Sequence, residues 1–158
     1  MENKSKKIIS EISAGELLDK MSILEIKIEK VTNKASQENL KKEYKIIKKN
    51  QNSNIKLEGE AKNLFISLKK VNLKLWKIED NLRIFEKNKD FGNEFVKLAR
   101  EVYLNNDKRS KIKSDINKLL ASNIVEVKQY INYWIKKNPL TFNGKWVLIF
   151  FFLIFLKY

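Results

Sequence analysis

Apolar and small side chains recur at alternating four- and three-residue spacing through the middle of the chain. The residues in this series are Leu57, Ala61, Leu64, Leu68, Val71, Leu75, Ile78, Leu82 and Phe85. Heptad spacing of this kind is typical of one continuous helix with an apolar seam. At about 1.5 Å per residue, a helix over residues 57–85 is roughly 43 Å long. Because such a helix cannot bury its seam alone, we expect it to pack on other helices of the chain or to form a coiled-coil homodimer.

Two shorter helices are predicted before this seam. The first begins at Ser13, whose hydroxyl can cap the first turn while Glu16 completes a capping box, and it runs to about Thr32. The second is weaker and covers residues 40–49. The polar residues 50–54 are predicted to form the loop that ends it, because their side chains compete with the backbone for hydrogen bonds.

Two further helices are predicted after the seam. Apolar spacing indicates a fourth helix that ends at residues 105–107, where Asp107 is the expected N-cap of a fifth. No segment shows the sustained period-two alternation that is typical of strands. The sequence therefore predicts an all-α bundle of about five helices around one long central helix, over residues 12–130. A basic, disordered N-terminus at residues 1–11 is expected to precede it.

The C-terminal tail, residues 131–158, differs in composition from the bundle. It contains an unbroken apolar run of 11 residues, Trp146–Leu156. As a helix, this run would reach only ~16 Å, against a hydrocarbon core about 30 Å thick. Three interpretations stay open: contact with a membrane surface, translation outside the ancestral frame, and packing on the bundle or on a partner. The residues predicted to face a membrane are Trp146, Phe150, Phe151, Phe152 and Phe155.

The charge of the chain is strongly positive. There are 33 basic and 19 acidic residues, which gives a formal charge of +14. This excess attracts polyanions such as RNA or anionic lipid. However, only 3 of the cations are arginines, whereas proteins that bind phosphates and base edges favour the planar guanidinium. A lysine content that follows an AT-rich genome is the preferred explanation of the charge, and nucleic acid is not the expected partner.

The chain contains no cysteine and no histidine. Disulfides, thiolate nucleophiles, imidazole catalysis and Cys/His zinc sites are therefore excluded. The spacing of the carboxylates does not establish a convergent set, so we predict no catalytic residue, no metal site and no cofactor, and an enzyme is not favoured. The first ten residues lack the apolar stretch of a signal peptide. A cytoplasmic location is expected, with contact to the inner face of the membrane through the tail.

A second series at heptad spacing runs along the long helix, rotated away from the seam. It comprises Phe65, Lys69, Asn72, Trp76, Glu79 and Arg83. A tryptophan between an amide, a carboxylate and a guanidinium is typical of an amphipathic binding surface. The alternative is that Trp76 packs on a neighbouring helix while Glu79 and Arg83 form an ordinary i,i+4 ion pair.

Arg109 lies in line with the apolar stripe of the predicted fifth helix. An arginine in that position needs a carboxylate, and the candidates are Glu79, Asp80, Asp19 and Glu25. The alternative is a contact with an anion or sugar phosphate, which Lys20 could join. The candidate ligand- or partner-binding residues are therefore Lys20, Glu25, Asn72, Trp76, Glu79, Arg83, Asp107 and Arg109.

Several separated motifs occur in a fixed order along the chain. They are GELLDK at 15–20, ILEIK at 23–27, LWKIED at 75–80, DFG at 90–92 and ND at 106–107. Together they resemble a family of small bacterial helical proteins known as a domain of unknown function. The likeness covers roughly residues 12–130, and the tail is expected to depart from it. The resemblance implies no established activity, but similar proteins occur beside, or joined to, sugar-transfer and surface-polysaccharide proteins.

Three functions therefore remain open. The first is a non-catalytic module that binds a protein partner, such as a glycosyltransferase or envelope-assembly protein, in surface-polysaccharide assembly. The second is a binder of nucleotide-sugars or sugar phosphates, with Lys20, Arg83 and Arg109 as anion donors and Trp76 as a stacking platform. The third is an electrostatic binder of RNA or anionic lipid.

Overall fold

The computed structural model describes residues 8–128 of the chain. These residues form four helices: α1 (Ala14–Lys30), α2 (Lys34–Asn54), α3 (Gly59–Asn88) and α4 (Asn93–Leu119). The described part contains no strand, which confirms the all-helical class, but it has four helices where about five were predicted. The expectations for residues 1–7 and for the tail from residue 129 onward, including the membrane-facing positions, lie outside the described residues.

Helix α1 begins as the sequence predicts. The Oγ of Ser13 accepts a hydrogen bond of 3.2 Å from the backbone N–H of Glu16, which satisfies one of the donors that the first turn leaves open. The Glu16 carboxylate itself forms an ion pair with Lys113 on α4. The helix ends at Lys30, two residues before the predicted end. The hydrogen bond of Ser13 therefore sets where α1 starts, and the ion pair with Lys113 holds α1 against α4.

Helix α2 is about twice as long as predicted. It begins after Asn33, whose Oδ1 accepts a 2.9 Å hydrogen bond from the backbone of Ser36. It then continues through the polar residues that were expected to form a loop. Asn54 donates to the carbonyl of Asn50 at 2.8 Å, and Gln51 donates to the carbonyl of Ile55 at the same distance. The prediction was wrong because these amides supplement the backbone bonds of the last turn instead of replacing them.

Helix α3 has 30 residues and carries most of the predicted seam. It starts at Gly59, so Leu57 lies before the helix. The buried side chains of α3 come from both heptad series: Ala61, Leu68, Leu75, Ile78 and Leu82 from the seam, and Phe65, Asn72 and Glu79 from the second series. Helix α3 therefore buries a face wider than the seam, because both α1 and α4 pack on it.

Helix α4 is one continuous element where two helices were predicted. Asn105 is buried inside it, and its Nδ2 donates 2.6 Å to the carbonyl of Glu101, one turn earlier. Asp107 is half-buried in the middle of α4 and is not the N-cap of a fifth helix. The predicted break was wrong because an asparagine in the core can bond to its own helix and leave the backbone ladder intact.

The centre of the bundle is α1 and not the longest helix. Helix α1 packs against each of the other three, and α3 packs along α4. The core between them is apolar, and its buried members are Leu17, Leu18, Met21, Leu24, Ile47, Ile55, Phe65, Leu68 and Ile116. The α3 seam is therefore covered within a single chain. No helix in residues 8–128 is both long enough and apolar enough to cross a membrane.

Candidate functional site

Polar side chains occupy every fourth position along one side of α4. Asn105, Lys113 and Asn117 are buried there, and Arg109 is half-buried between them. Arg109, Lys113 and Asn117 reach α1, and the contacts run in opposite directions along the two helices. Asn117 meets Gly15, Lys113 meets Glu16, and Arg109 meets Asp19. We call the set formed by Glu16, Asp19, Asn72, Arg109, Lys113 and Asn117 the polar ladder.

The ion pair of Asp19 and Arg109 is the centre of the polar ladder. The Asp19 side chain is only 1 % exposed, and its Oδ1 lies 2.9 Å from Nε of Arg109. Oδ2 lies 3.1 Å from the same Nε and also accepts a hydrogen bond from Nη2. This fork geometry is what a guanidinium provides and an ammonium does not. Burial lowers the pKa of Arg109, but its hydrogen bonds and charge pairing with Asp19 outweigh this and leave the pKa raised.

Asn72 joins α3 to this pair. Its Nδ2 donates to Oδ1 of Asp19 and to Oγ of Ser22, both at 2.7 Å, and Ser22 donates to the backbone carbonyl of Asp19 at 2.8 Å. The opposite amide orientation would place an oxygen against the carboxylate, so these contacts fix the amide. Within the described residues, Oδ1 of Asn72 is a buried acceptor that has no hydrogen-bond donor. A buried acceptor without a donor lowers the stability of the fold by about 1–3 kcal/mol. The contacts of Asn72 that hold α3 in place therefore come with this loss of stability.

Lys113 forms the next step of the polar ladder. Its ammonium pairs with Glu16 on α1 and with Glu126, 3.0 Å away in the segment after α4. Burial lowers the pKa of Lys113, but the hydrogen bonds to these two carboxylates leave it raised. The polar ladder and Glu126 together hold two cations and three carboxylates. The local charge is therefore negative, which does not favour a phosphate or a sulfate.

The N-terminus of α1 is closed by α4. The backbone N–H of Gly15 donates to Oδ1 of Asn117 at 2.6 Å, and that of Ala14 donates to Oγ of Ser122 at 3.0 Å. A Cβ on Gly15 would lie 2.6 Å from the backbone oxygen of Lys113, so only glycine allows this approach. The helix N-terminus, which could otherwise attract an anion, is already hydrogen-bonded within the chain.

Two of the predicted site residues on α1 contact other side chains than those of the polar ladder. Glu25 accepts a 2.9 Å hydrogen bond from the hydroxyl of Tyr44 and lies 2.8 Å from Nζ of Lys69, which also pairs with Glu29. Burial and the hydrogen bond to Glu25 raise the pKa of Tyr44 to about 12. Lys20 is exposed and lies 2.9 Å from Glu43 on α2. Lys20 and Glu25 therefore tie α1 to its neighbours, and neither joins Arg109.

The second heptad series of α3 does not form one open surface. Asn72 and Glu79 are buried, Trp76 is half-buried, and Arg83 is exposed at the far end. Arg83 lies 3.4 Å from Asp80 and 4.0 Å from Glu79. The i,i+4 ion pair that was considered for Glu79 and Arg83 is thus present, at the longest distance that counts as an ion pair. Of this series, the half-buried Lys69 and Trp76 and the exposed Arg83 keep accessible surface.

The sequence argument named Arg109 and, among four candidates, its partner Asp19. It missed Lys113, Asn117 and the role of Glu16 outside its own helix. The spacing of Asn105, Arg109, Lys113 and Asn117 at four-residue intervals was the pattern that could have revealed them. In residues 8–128, no three acidic side chains come close enough together to hold a metal ion.

A small all-helical bundle held by internal ion pairs is the class of protein that these contacts define. Residues 8–145 match the model of a family of unknown function, DUF6165, and the chain belongs to that family. The match begins four residues before and ends fifteen residues after the expected limits of 12–130, so part of the tail also belongs to it. The expectation that the family likeness stops at Tyr130 was wrong. No curated protein and no solved structure gives a significant match.

Proposed function

We propose that this protein is a non-catalytic helical module that binds another protein through the flank of α3 around Trp76. One observation carries this proposal. The cations that were candidates for binding a small anion each hold a carboxylate of their own chain, whereas Trp76 keeps part of its surface exposed. A partly exposed tryptophan is among the side chains that most often dominate protein interfaces.

The partner-binding flank has a regular composition. Lys69, Leu73, Trp76 and Asp80 follow one another at spacings of four, three and four residues and share one side of α3. The first three are half-buried and Asp80 is exposed. Charged groups thus lie at both ends of an apolar centre, with Arg83 beside Asp80. An apolar centre with a charged rim is the usual composition of a protein interface.

A nucleotide-sugar or sugar-phosphate site is less well supported. To bind a phosphate, Arg109 would have to leave Asp19, which is 1 % exposed. Separating a buried pair of this kind costs about 3–5 kcal/mol. The ion pairs of Arg83 and Lys20 are exposed, so breaking them does not carry this cost. However, Arg83 and Lys20 lie on different helices. The three anion donors therefore do not form one pocket.

The resemblance to the family of small helical proteins suggests the biological setting. That resemblance implies an association with sugar-transfer and surface-polysaccharide proteins, so we take the partner to be a glycosyltransferase or another envelope-assembly protein. The buried Asp19 and Lys113 are each held in an ion pair within the chain, which supports a role in binding without catalysis.

The test is an affinity capture from the source organism with the full chain. Trp76→Ala is compared with Lys77→Ala, which changes the adjacent exposed position of the same helix. We expect a sugar-transfer or envelope-assembly protein to be retained by the parent and by Lys77→Ala. Loss of a central aromatic contact of 2 kcal/mol or more corresponds to roughly thirtyfold weaker retention by Trp76→Ala.

A second variant guards against loss of folding. Asp80→Lys reverses an exposed charge beside Trp76 and leaves the core untouched. It should weaken the same interaction while the thermal unfolding curve stays at that of the parent. Equal retention by all variants would rule out this surface. A thermal shift with nucleotide-sugar that disappears in Arg109→Gln would favour the sugar-phosphate function instead.

A further inference from the structure

Helix α2 has an outer face that no other part of the described bundle covers. Its inner side packs on α1 through Leu40, Tyr44, Ile47 and Gln51. The opposite side is exposed along its whole length. The residues of this outer face are Lys34, Glu38, Lys41, Lys42, Lys45, Ile46 and Lys49.

The outer face of α2 carries five lysines. Some exposed lysines on the other helices pair with a carboxylate, as Lys111 does with Asp115 and Lys97 with Glu94. Within residues 8–128, none of the five lysines of the outer face lies within ion-pair distance of a carboxylate. Glu38 is the one acidic side chain on this face, and Glu43 is turned to Lys20 on α1. Five ammonium groups against one carboxylate leave four uncompensated positive charges.

We propose that the outer face of α2 docks on the surface of an anionic phospholipid membrane. The chemistry of the face favours lipid over nucleic acid. It has no arginine and no aromatic side chain, because Tyr44 is turned to Glu25. Binding of single-stranded RNA relies on aromatic stacking and on guanidinium groups, which this face lacks. Lysine ammonium groups are compact point charges that suit a fluid layer of headgroups without fixed geometry.

Ile46 supports the same ligand. It is 56 % exposed and lies at the edge of the outer face, one turn from Lys42 and Lys49. An apolar side chain beside basic ones is typical of helices that lie in the interface plane of a membrane. The α2 face is separate from the Trp76 flank on α3, so this proposal is independent of the proposed partner-binding function.

The expected loss of vesicle binding follows from the number of lysines that are replaced. A lysine near an anionic membrane surface strengthens binding by about fivefold. Replacing two of them should therefore weaken binding to anionic vesicles by roughly 30-fold. The interaction should also weaken steeply as salt is raised, because the Debye length falls from ~10 Å at 0.1 M to ~3 Å at 1 M.

The experiment measures partition of the full chain onto vesicles of about one-third phosphatidylglycerol in phosphatidylcholine and onto neutral phosphatidylcholine vesicles. The ratio of the two isolates the electrostatic part, since any apolar contribution of the tail enters both. Lys42→Gln/Lys49→Gln is compared with Lys70→Gln/Lys77→Gln. Both pairs are exposed, seven residues apart and equal in charge, but the control pair lies on α3. Neither pair touches the core, so both variants should fold.

We expect a preference for anionic vesicles that falls roughly 30-fold in the α2 variant and less than about threefold in the control. Equal losses in both variants would show that net charge alone acts and would overturn the assignment to α2. Absence of any preference for anionic lipid would overturn it as well. If the α2 variant loses binding to an RNA oligonucleotide while vesicle binding is unchanged, the face binds nucleic acid and the proposal is wrong.

Discussion

Replacing Arg109 by leucine tests the energetic role of the polar ladder. The substitution removes the guanidinium from Asp19, whose side chain is 1 % exposed in the parent. Of its partners, the amide of Asn72 at 2.7 Å would remain. A buried charge that loses its counter-ion costs about 3–5 kcal/mol. Since domains of this size are stable by about 5–15 kcal/mol, the variant should retain its fold at room temperature with a much reduced margin.

The assay is urea unfolding followed by far-ultraviolet circular dichroism. With a slope of about 2 kcal/mol per molar urea, a loss of about 4 kcal/mol moves the midpoint down by roughly 2 M. Arg100→Leu is the matched control, because it removes an exposed arginine from the same helix. A surface change of that kind should stay within about 0.5 kcal/mol.

The pH dependence sharpens this test. Without Arg109, the Asp19 carboxylate would be a buried charge without its counter-ion, and protonation removes that charge. The destabilisation is therefore largest where the carboxyl is ionised and is relieved as acid protonates it. The gap between variant and parent should therefore narrow from pH 7 to pH 4. A loss below about 1 kcal/mol at pH 7, or a gap that is constant with pH, would refute the assignment of a buried, charge-paired Asp19.

Two further outcomes follow from the packing of α1. Gly15→Ala places a Cβ 2.6 Å from the backbone oxygen of Lys113, and we expect a loss of about 1–3 kcal/mol in urea unfolding. Gly92→Ala is the control, since its nearest contact is the Asp90 side chain at 3.2 Å; an equal loss in both variants would contradict the close approach. The pKa of Tyr44 is raised to about 12, so its contribution to stability is complete below pH 10 and is lost as the pH rises to 12. Ultraviolet titration should therefore show one phenol, absent in Tyr44→Phe, that ionises about two pH units above the ordinary value, and a value near 10 would argue against the burial of its hydroxyl.

The sequence predicted the elements whose boundaries are set by neighbouring residues. The cap of α1 is an example, because Ser13 and the first turn are adjacent in the chain. The continuation of α4 through Asn105 was not predictable in this way. Asparagine is common at helix ends, and only the packing of α4 shows that this one is buried and bonded to Glu101.

The sequence also predicted only part of the candidate site. The position of Arg109 in an apolar stripe correctly indicated that it needs a carboxylate. Choosing Asp19 from four candidates required the crossing of α1 and α4, which joins residues 90 positions apart in the chain. The periodicity of one helix cannot give that information. Lys113 was missed because a lysine is ordinarily exposed and here it is buried between two carboxylates.

The central position of α1 has a consequence for the order in which the chain is made. Asp19 leaves the ribosome 90 residues before Arg109. At about 5–20 residues per second, that interval is roughly 5–18 s. During that time the nascent chain presents the apolar face of α1 with α2 as its first available partner. A carboxylate in the middle of that face keeps the segment in water and disfavours early burial. Until Arg109 is made, packing this face would bury the Asp19 carboxylate without its counter-ion, which disfavours that packing.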